Sequence, residues 1–296
     1  MNIQPWIDVI RPKTLPAAVA PVLVGSALAF SAGYFNPLPA LAAFIGALLL
    51  QIAVNLANDY FDFVNGVDTD ERLGPQRATA SGLISLKKMR IAIAVVILLA
   101  VLDGVYLVIV GGIPIIIIGI LSIISLLAYS GGPYPLASHG LGDLFVFIFF
   151  GFVAVCGTYY VQSLSLNWIV VLGSLPSAMQ ITAILVVNNY RDIETDEKSG
   201  KRTLAVKIGK KATRIEYVLM LLLPYTVPFI FIITGRANWF LLLPLLSMPM
   251  TIPLIRQLYG LYEGQELNKT LGGTAKLSLI FSILFSIGVL SVRFSF

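Results

Sequence analysis

Cysteine and histidine are almost absent from this sequence, and their scarcity excludes whole classes of metal site. The 296 residues contain one cysteine, Cys156, and one histidine, His139. A single thiol cannot form an internal disulfide, and these two residues cannot build a zinc or iron–sulfur centre. Any metal bound by this chain is therefore expected to be a hard cation held by oxygen ligands.

Charged residues are also scarce. They make up 12% of the chain, against about 25% in soluble domains, whereas apolar residues reach 57%. A soluble fold of this length could not bury so many apolar side chains, and the same composition excludes a disordered chain. The class that fits is a polytopic membrane protein, with the lipid bilayer as its partner. The net charge of +5 is then expected to report orientation in the membrane and not binding to nucleic acid.

Nine apolar runs are long enough to cross the bilayer, which takes about 20 residues of helix. We therefore predict an all-α membrane protein of nine transmembrane helices. Pro12, Pro16 and Pro21 and the length of the first run favour a retained span over a signal peptide. The predicted spans lie near 15–32, 40–61, 90–110, 112–129, 142–162, 168–189, 214–234, 238–257 and 273–293.

The basic residues are divided unevenly between the two sets of predicted loops. All but two of the 20 Lys and Arg residues lie on one side, and only Arg236 and Arg293 fall on the other. Cytoplasmic loops carry the excess of basic residues in membrane proteins. We therefore expect the N-terminus and the long loops 62–89 and 190–213 to be cytoplasmic and the C-terminus to be outside. The expected location is the cytoplasmic, or inner, membrane of the cell.

The ends of the second and sixth predicted helices resemble each other. Residues 58–62 read Asn-Asp-Tyr-Phe-Asp, and residues 188–192 read Asn-Asn-Tyr-Arg-Asp. Each continues into an acidic stretch and then a Gly followed by Arg and Thr. This echo suggests one transmembrane domain over 1–296 with two related halves, whose motifs lie near 55–77 and 188–203. An even number of spans separates the motifs, so both are expected at the same membrane face.

Oxygen ligands recur in both motifs three or four residues apart, which places them along one side of a helix. They are Asn55, Asn58, Asp59 and Asp62 in the first motif and Asn188, Asp192 and Asp196 in the second. Stacked carboxylates and carboxamides repel one another unless a cation lies between them. Such ligands suit Mg²⁺, which prefers one or two carboxylates together with substrate phosphates. Two facing clusters could hold two or more Mg²⁺ ions across one diphosphate.

Basic residues follow both acidic motifs. They are Arg72 and Arg77 after the first and Lys198, Lys201 and Arg202 after the second. Arginine binds phosphate through paired hydrogen bonds. Acidic side chains that could bind a metal lie next to basic side chains that could bind phosphate, at a membrane surface. This combination predicts a lipid diphosphate as the ligand. The residues expected to carry the chemistry are Asp59, Asp62, Asp192, Asp196, Arg77, Lys201 and Arg202.

Taken together, these motifs resemble those of the UbiA-type membrane-embedded aromatic prenyltransferases. Asn58-Asp59-x-x-Asp62 is similar to the family's first Asp-rich motif, and Asp192-x-x-x-Asp196 to its second. Arg11-Pro12, just before the first span, is similar to the family's start. The resemblance implies nine helices around a central cavity, with both Asp-rich motifs on cytoplasmic loops.

Within this family, the chain is most similar to the 1,4-dihydroxy-2-naphthoate polyprenyltransferases of menaquinone synthesis. Residues 55–77, 129–143 and 188–206 carry that similarity. The resemblance implies a reaction of polyprenyl diphosphate with 1,4-dihydroxy-2-naphthoate that releases diphosphate and carbon dioxide and forms demethylmenaquinone, with Mg²⁺ as cofactor. The interval from Asp62 to Asp68 departs from hydroxybenzoate-type relatives, which argues against that acceptor. It leaves open whether Asp68 or Asp70 completes the metal site.

The resemblance also implies a set of ligand-binding residues. The metal ligands would be Asn58, Asp59, Asp62, Asp68, Asn188, Asp192 and Asp196. The substrate-binding residues would be Arg11, Asn55, Asn58, Arg72, Tyr129, Tyr134, Asp143, Asn188 and Asn189. Among these, the aromatic rings could shield an allylic cation. Asp143 could orient the aromatic substrate or a proton, or it could cap the fifth span.

Two alternative functions are compatible with part of these observations. One is a prenyltransferase of the same fold with another acceptor, such as homogentisate or 4-hydroxybenzoate. The other is a secondary transporter, which would place its charged ligands near the membrane midplane. The acids here cluster at helix ends on one face, which disfavours transport. Asp103 is expected near the outer end of its span, at the membrane interface.

Overall fold

The computed structural model describes residues 3–67, 73–74 and 77–293. Asp68, Asp70 and Arg72, which the sequence singled out for the metal or the diphosphate, lie outside the described residues. Within these ranges the chain forms helices and turns, with no strand. The expected all-α fold is therefore confirmed.

The helices follow one another with short connections. The α-helices are α1 Gln4–Ile10, α2 Pro16–Ser31, α3 Pro37–Val64, α4 Leu86–Gly111, α5 Ile113–Ser130, α6 Gly142–Val146, α7 Ala154–Ser163, α8 Trp168–Arg191, α9 Ile193–Lys198, α10 Leu204–Leu222, α11 Thr226–Ile233, α12 Thr251–Arg256 and α13 Leu267–Leu290. The 3₁₀ segments are Pro12–Thr14, Ala137–His139, Leu223–Tyr225, Trp239–Met250 and Gly264–Glu266. The π-helical segments are Phe147–Val153 and Gln257–Leu261.

The described residues contain eight helical runs that are long and apolar enough to cross a membrane. A ninth span results if the segment Gln4–Thr14 is taken together with α2, from which it is bent by 46°. Pro12 and Pro16 flank this bend, and each lacks the N–H that a continuous helix would need. The molecule is thus a polytopic membrane protein with eight or nine candidate spans among the described residues, a range that includes the nine predicted from the sequence.

Several spans differ from the uninterrupted helices that the sequence predicted, and the fifth, for example, passes through the π-helical segment Phe147–Val153. The run over 238–257 forms a 3₁₀ helix over Trp239–Met250, because Pro244 and Pro249 cannot donate the backbone hydrogen bonds of an α-helix. The seventh span begins earlier than its predicted start near residue 214. It starts at Leu204, where the Thr203 side chain accepts a hydrogen bond from the Val206 N–H, and it breaks at Gly209, whose φ is 75°.

The span α8 lies at the centre of the molecule. It contacts α2, α10, α13 and the π-helical segment Phe147–Val153. Large apolar side chains fill the main core beside it, among them Leu28, Tyr159, Phe231, Phe281 and Phe285. Both α2 and α7 contact α8 and also α3, so they hold in place the two helices whose C-terminal ends carry the acidic motifs.

The contact between α8 and the π-helical segment depends on a glycine. A Cβ placed on Gly151 would lie 2.1 Å from the Cβ of Ala178 and 2.3 Å from its Cα. Two backbones can approach this closely only where one side chain is missing, as is common between helices in membranes.

We predict that Gly151→Ala destabilises the fold by about 1–3 kcal/mol, because the backbone must shift to relieve the overlap. Thermal unfolding in detergent measures this as a lower midpoint. Gly157→Ala is the matched control, since no atom lies within 4 Å of a Cβ at that position. An equal midpoint for both variants would contradict the packing described here.

Candidate active site

A cavity of about 650 Å³ lies among α2, α3, α4, α5, α7, α8 and the π-helical segment Phe147–Val153. Its two ends differ in chemistry. One end is polar and is formed where α3 and α8 finish. The other end is apolar and is lined by side chains such as Val101, Leu107, Ile109, Ile116 and Ile120. The cavity could therefore hold a ligand with a charged head and a long apolar tail.

The first motif contributes Asn58 and Asp62 to the polar end of the cavity. The Asp62 carboxylate is buried and forms a salt bridge with Arg77, which also lines the cavity. The Asn58 carbonyl oxygen accepts a hydrogen bond of 2.8 Å from the Ser130 hydroxyl. This part of the motif thus presents one carboxylate, one carboxamide and one guanidinium to the cavity.

The other two predicted ligands of the first motif point elsewhere. Asp59 does not line the cavity; its carboxylate accepts hydrogen bonds from the N–H groups of Ala78 and Thr79, at 3.2 and 3.0 Å, and from the Thr79 hydroxyl. Asn55 donates to the Ile10 carbonyl at 2.8 Å and to the Thr14 hydroxyl at 3.2 Å. These contacts hold neighbouring chain segments against α3, and a role for either residue in binding metal or substrate stays a prediction.

The second motif lines the opposite wall of the same polar end. Asn188, Asn189, Asp192 and Asp196 all face the cavity. The helical path of α8 continues almost without a break to Asp196, because α9 starts directly after Asp192. The N–H of Asp196 donates a hydrogen bond of 2.7 Å to the Asp192 carbonyl. The structure therefore brings the two motifs together, as their matching sequences indicated.

Arg191 organises the second motif, although it is not among the site residues that the sequence predicted. Its guanidinium is buried and pairs with the Asp192 carboxylate. It also donates to the side-chain oxygens of Asn188 at 2.9 Å and Asn268 at 2.6 Å. Asn268 lies on α13 and donates to the Leu73 carbonyl at 3.2 Å. The sequence feature that could have indicated this role is an arginine at the end of an apolar helix, since such a charge needs partners.

The two predicted phosphate-binding residues of the second motif are placed differently. Lys201 lines the cavity, and its ammonium group lies 3.8 Å from the Asp196 carboxylate. Arg202 has an exposed side chain that does not line the cavity. Its N–H bonds the Ser138 carbonyl at 2.9 Å, which directs the side chain outwards. Arg202 therefore does not line the cavity, and its predicted role in the site stays a prediction to be tested by the kinetics of Arg202→Ala.

The two glutamates of the second motif, Glu194 and Glu197, do not line the cavity. Glu194 is exposed, and its carboxylate accepts a hydrogen bond of 2.7 Å from Lys210. That hydrogen bond holds the pKa of Glu194 below its ordinary value. This surface pair takes no part in the cavity.

Tyr129 and Arg11 line the cavity as expected, whereas Tyr134 does not. Tyr134 is 56% exposed, and its ring stacks on His139 with centroids 3.5 Å apart. Asp143 is buried behind the wall, where its carboxylate accepts a hydrogen bond of 3.5 Å from Asn189. Asp143 can therefore orient Asn189, which itself faces the cavity.

Asp103 lies eight residues before the end of α4, the span in which the sequence placed it. It sits well inside α4 and lines the cavity on the side away from the two motifs. A Cβ built on Gly46 of α3 would lie 2.8 Å from an Asp103 carboxylate oxygen. The carboxyl group thus packs directly over the α3 backbone, which needs a glycine there.

The donor set of the polar end fits a hard divalent cation. Carboxylates of Asp62, Asp192 and Asp196 and amide oxygens of the flanking asparagines face one space, with no sulfur and no imidazole among them. In the described part of the chain, no three acidic, His or Cys side chains lie close enough to form a complete metal cage. Such a site suits a cation that takes its remaining ligands from water and phosphate, as Mg²⁺ does.

Comparison with known proteins agrees with this geometry. The model of the UbiA prenyltransferase family matches residues 18–280, which is most of the chain. The chain belongs to the UbiA prenyltransferase family.

Relatives within the UbiA family match nearly the whole chain. A protein from Haemophilus influenzae named 1,4-dihydroxy-2-naphthoate octaprenyltransferase is 34% identical over 98% of this chain and 96% of its own length. A protein of the same name from Escherichia coli is 36% identical, over 97% of this chain and 95% of its own length.

A solved structure supports the UbiA fold. The structure of a UbiA homolog from Archaeoglobus fulgidus bound to GPP and Mg²⁺ superimposes with a TM-score of 0.63. It covers 97% of this chain and 100% of the other, at 14% identity. At that identity the likeness establishes the fold alone.

We predict that Asp59→Ala lowers the stability of the protein. The change leaves two buried N–H groups and one hydroxyl without an acceptor, which costs about 1–3 kcal/mol for each group that stays unsatisfied. Thermal unfolding in detergent measures the loss. Glu197→Ala, at an exposed acid of the second motif, is the control. Unchanged unfolding of the Asp59 variant would show that its carboxylate does not secure the 78–79 turn.

Proposed function

We propose that this UbiA-family protein transfers a polyprenyl group from polyprenyl diphosphate to 1,4-dihydroxy-2-naphthoate. Diphosphate and carbon dioxide leave, and demethylmenaquinol forms, which dioxygen in the sample then oxidises to demethylmenaquinone. The observation that carries the proposal is the cavity, whose polar end gathers acidic, amide and basic side chains from both motifs and whose other end is apolar. The choice of acceptor rests on the names of the relatives at 34% and 36% identity.

The donor would bind with its diphosphate at the polar end and its tail in the apolar part. Arg77 and Lys201 line the polar end from opposite motifs, and Arg11 lines it from the start of the chain. Each can donate charge-assisted hydrogen bonds to phosphate oxygens. The apolar side chains of α4 and α5 that line the cavity would accommodate the polyprenyl chain.

A divalent cation, which we propose to be Mg²⁺, would be held by Asp62, Asp192 and Asp196 with the amide oxygens of Asn58 and Asn188. The UbiA homolog described above carries this ion together with GPP. When bound, the cation would supply charge neutralisation to the departing diphosphate. Arg191 would keep the Asp192 carboxylate and the Asn188 amide in place through its hydrogen bonds to both.

The protein would assist the chemistry mainly by holding reactants and excluding water. As the bond between the allylic carbon and the diphosphate oxygen breaks, positive charge develops on that carbon. Arg77 and Lys201 would stabilise the growing negative charge on the diphosphate. The apolar walls would keep water from the cation, which would otherwise be hydrolysed. Tyr129, which lines the cavity beside Asn58, could face the cation with its ring.

The acceptor would then attack the allylic carbon. A new carbon–carbon bond forms at the ring carbon that bears the carboxylate, and loss of carbon dioxide restores the aromatic ring. Asn189, held by Asp143, lies on the cavity wall where it could orient the acceptor's hydroxyl or carboxylate groups. We also propose that the polar end faces the cytoplasm, because the basic residues concentrate on that side of the chain.

The direct test of the function is a product assay. Purified protein in detergent is given a polyprenyl diphosphate, Mg²⁺ and one of three acceptors: 1,4-dihydroxy-2-naphthoate, homogentisate or 4-hydroxybenzoate. Mass spectrometry is expected to detect demethylmenaquinone with the first acceptor and little product with the others. Faster turnover of either other acceptor would contradict the proposed substrate while leaving the family unaffected.

We predict that the reaction requires a divalent cation and the carboxylates of both motifs. EDTA should abolish product formation, and added Mg²⁺ should restore it. Asp62→Asn and Asp192→Asn should each lower kcat by about 10²-fold or more, because each removes charge from the site that stabilises the leaving group. Product formation that continues undiminished in EDTA would exclude this role for the two motifs.

We further predict that Lys201 and Arg202, adjacent in sequence, behave differently. Lys201→Ala should raise the KM for the prenyl donor and lower kcat by about 10²-fold, since charge grows on the diphosphate as the bond breaks. Arg202→Ala should retain both constants, because its side chain lies outside the cavity. Arg77→Lys should recover little activity, as an ammonium group cannot replace the planar fork of a guanidinium. Wild-type constants for Lys201→Ala would remove it from the site.

A further inference from the structure

A second, smaller cleft lies against α13 and shares no lining residue with the active-site cavity. It is rich in lysine, and we refer to it as the lysine cleft. Its lining residues are Lys13, Pro16, Asn268, Lys269, Gly272, Ala275, Lys276 and Leu279. They come from the chain just before α2 and from the first half of α13.

The three lysines of this cleft are without acidic partners among the residues that the structure describes. Their side chains are exposed, and none forms a salt bridge within the described ranges of the chain. Lys269 places its ammonium group 5.3 Å from the centre of the Tyr262 ring. Three ammonium groups that line one hollow give it a positive charge, which a ligand with negative charge would complement.

Lys276 lies at an unusual depth for a charged side chain. It follows Leu267, the first residue of α13, by nine positions, which corresponds to about 14 Å along the helix. The whole of α13 belongs to a candidate membrane span. A lysine in a span extends its ammonium group towards the membrane surface, here towards Lys269 and Lys13, and commonly binds an anion there.

Below the lysines, the same face of α13 is apolar and exposed. Leu279, Ile283, Ile287 and Leu290 follow Lys276 at helical spacing, and the last three are 40%, 49% and 46% exposed. The floor of the cleft is open as well, since no atom lies within 4 Å of a Cβ built on Gly272. This surface therefore carries positive charge in the first half of α13 and a continuous row of apolar side chains further along the helix.

We propose that the lysine cleft binds an anionic phospholipid of the adjoining leaflet. Its phosphate would lie among Lys13, Lys269 and Lys276, and an acyl chain would follow Leu279 and Ile283 along α13. Basic pockets between transmembrane helices bind acidic headgroups in this way. Free phosphate has the same charge but would use only the upper part of the cleft.

The test is direct measurement of lipid binding to the full-length protein by native mass spectrometry in detergent. Phosphatidylglycerol and phosphatidylcholine with identical acyl chains are compared, and inorganic phosphate is added in a separate arm as a competitor. We expect phosphatidylglycerol to bind preferentially. The double variant Lys269→Ala/Lys276→Ala should weaken that binding by about 30-fold, from the contribution expected of two lysines near a membrane surface.

Two further variants separate the cleft from general charge and from misfolding. Lys87→Ala/Lys88→Ala removes the same charge from an exposed part of α4 and should bind phosphatidylglycerol as the wild type does. Gly272→Leu keeps every charge but fills the floor of the cleft, and it should reduce binding while thermal unfolding stays normal. Equal binding of the two lipids, wild-type binding by the cleft variants, or complete displacement by millimolar inorganic phosphate would each overturn the proposal.

Discussion

The need to neutralise charge at the edge of an apolar interior governs this structure. Asp62, Asp192 and Asp196 face a cavity whose walls are mostly hydrocarbon, and each lies beside a basic side chain: Arg77, Arg191 and Lys201 respectively. Removing one partner of a buried pair of this kind costs about 3–5 kcal/mol, because the remaining charge is left without compensation. The same pairing keeps the acids and bases close together, where a diphosphate and a cation can replace the internal contacts.

The fold serves this arrangement by bringing two distant helix ends to one place. The ends of α3 and α8 are far apart in the chain, and α2 and α7, which contact both helices, link their positions. Glycines at tight contacts, such as Gly151 against Ala178, allow that packing. Positioning by a rigid scaffold is what a prenyl transfer needs, since the reactive carbon must be held near its acceptor and away from water.

Much of this could be predicted from the sequence, because hydropathy and helical spacing are local properties. The number of spans and the presence of Asp62, Asn188, Asp192 and Asp196 at a shared cavity follow from those properties. Spacing alone could not separate Asp62 from Asp59, which is rotated by about 60° around the helix axis at 3.6 residues per turn. That rotation turns Asp59 towards the backbone of Ala78 and Thr79 and away from the cavity. The link from Arg191 to Asn268 depends on tertiary packing across 77 positions, which no local pattern reports.

The central claim is that carboxylates of both motifs act on one diphosphate. Pulsed electron paramagnetic resonance with Mn²⁺ in place of Mg²⁺ tests it directly, by detecting magnetic coupling between the metal and the phosphorus nuclei of a bound polyprenyl diphosphate. The account predicts a phosphorus coupling in the wild type that is lost or strongly reduced in both Asp62→Asn and Asp192→Asn. A coupling that is unchanged in either variant would contradict it.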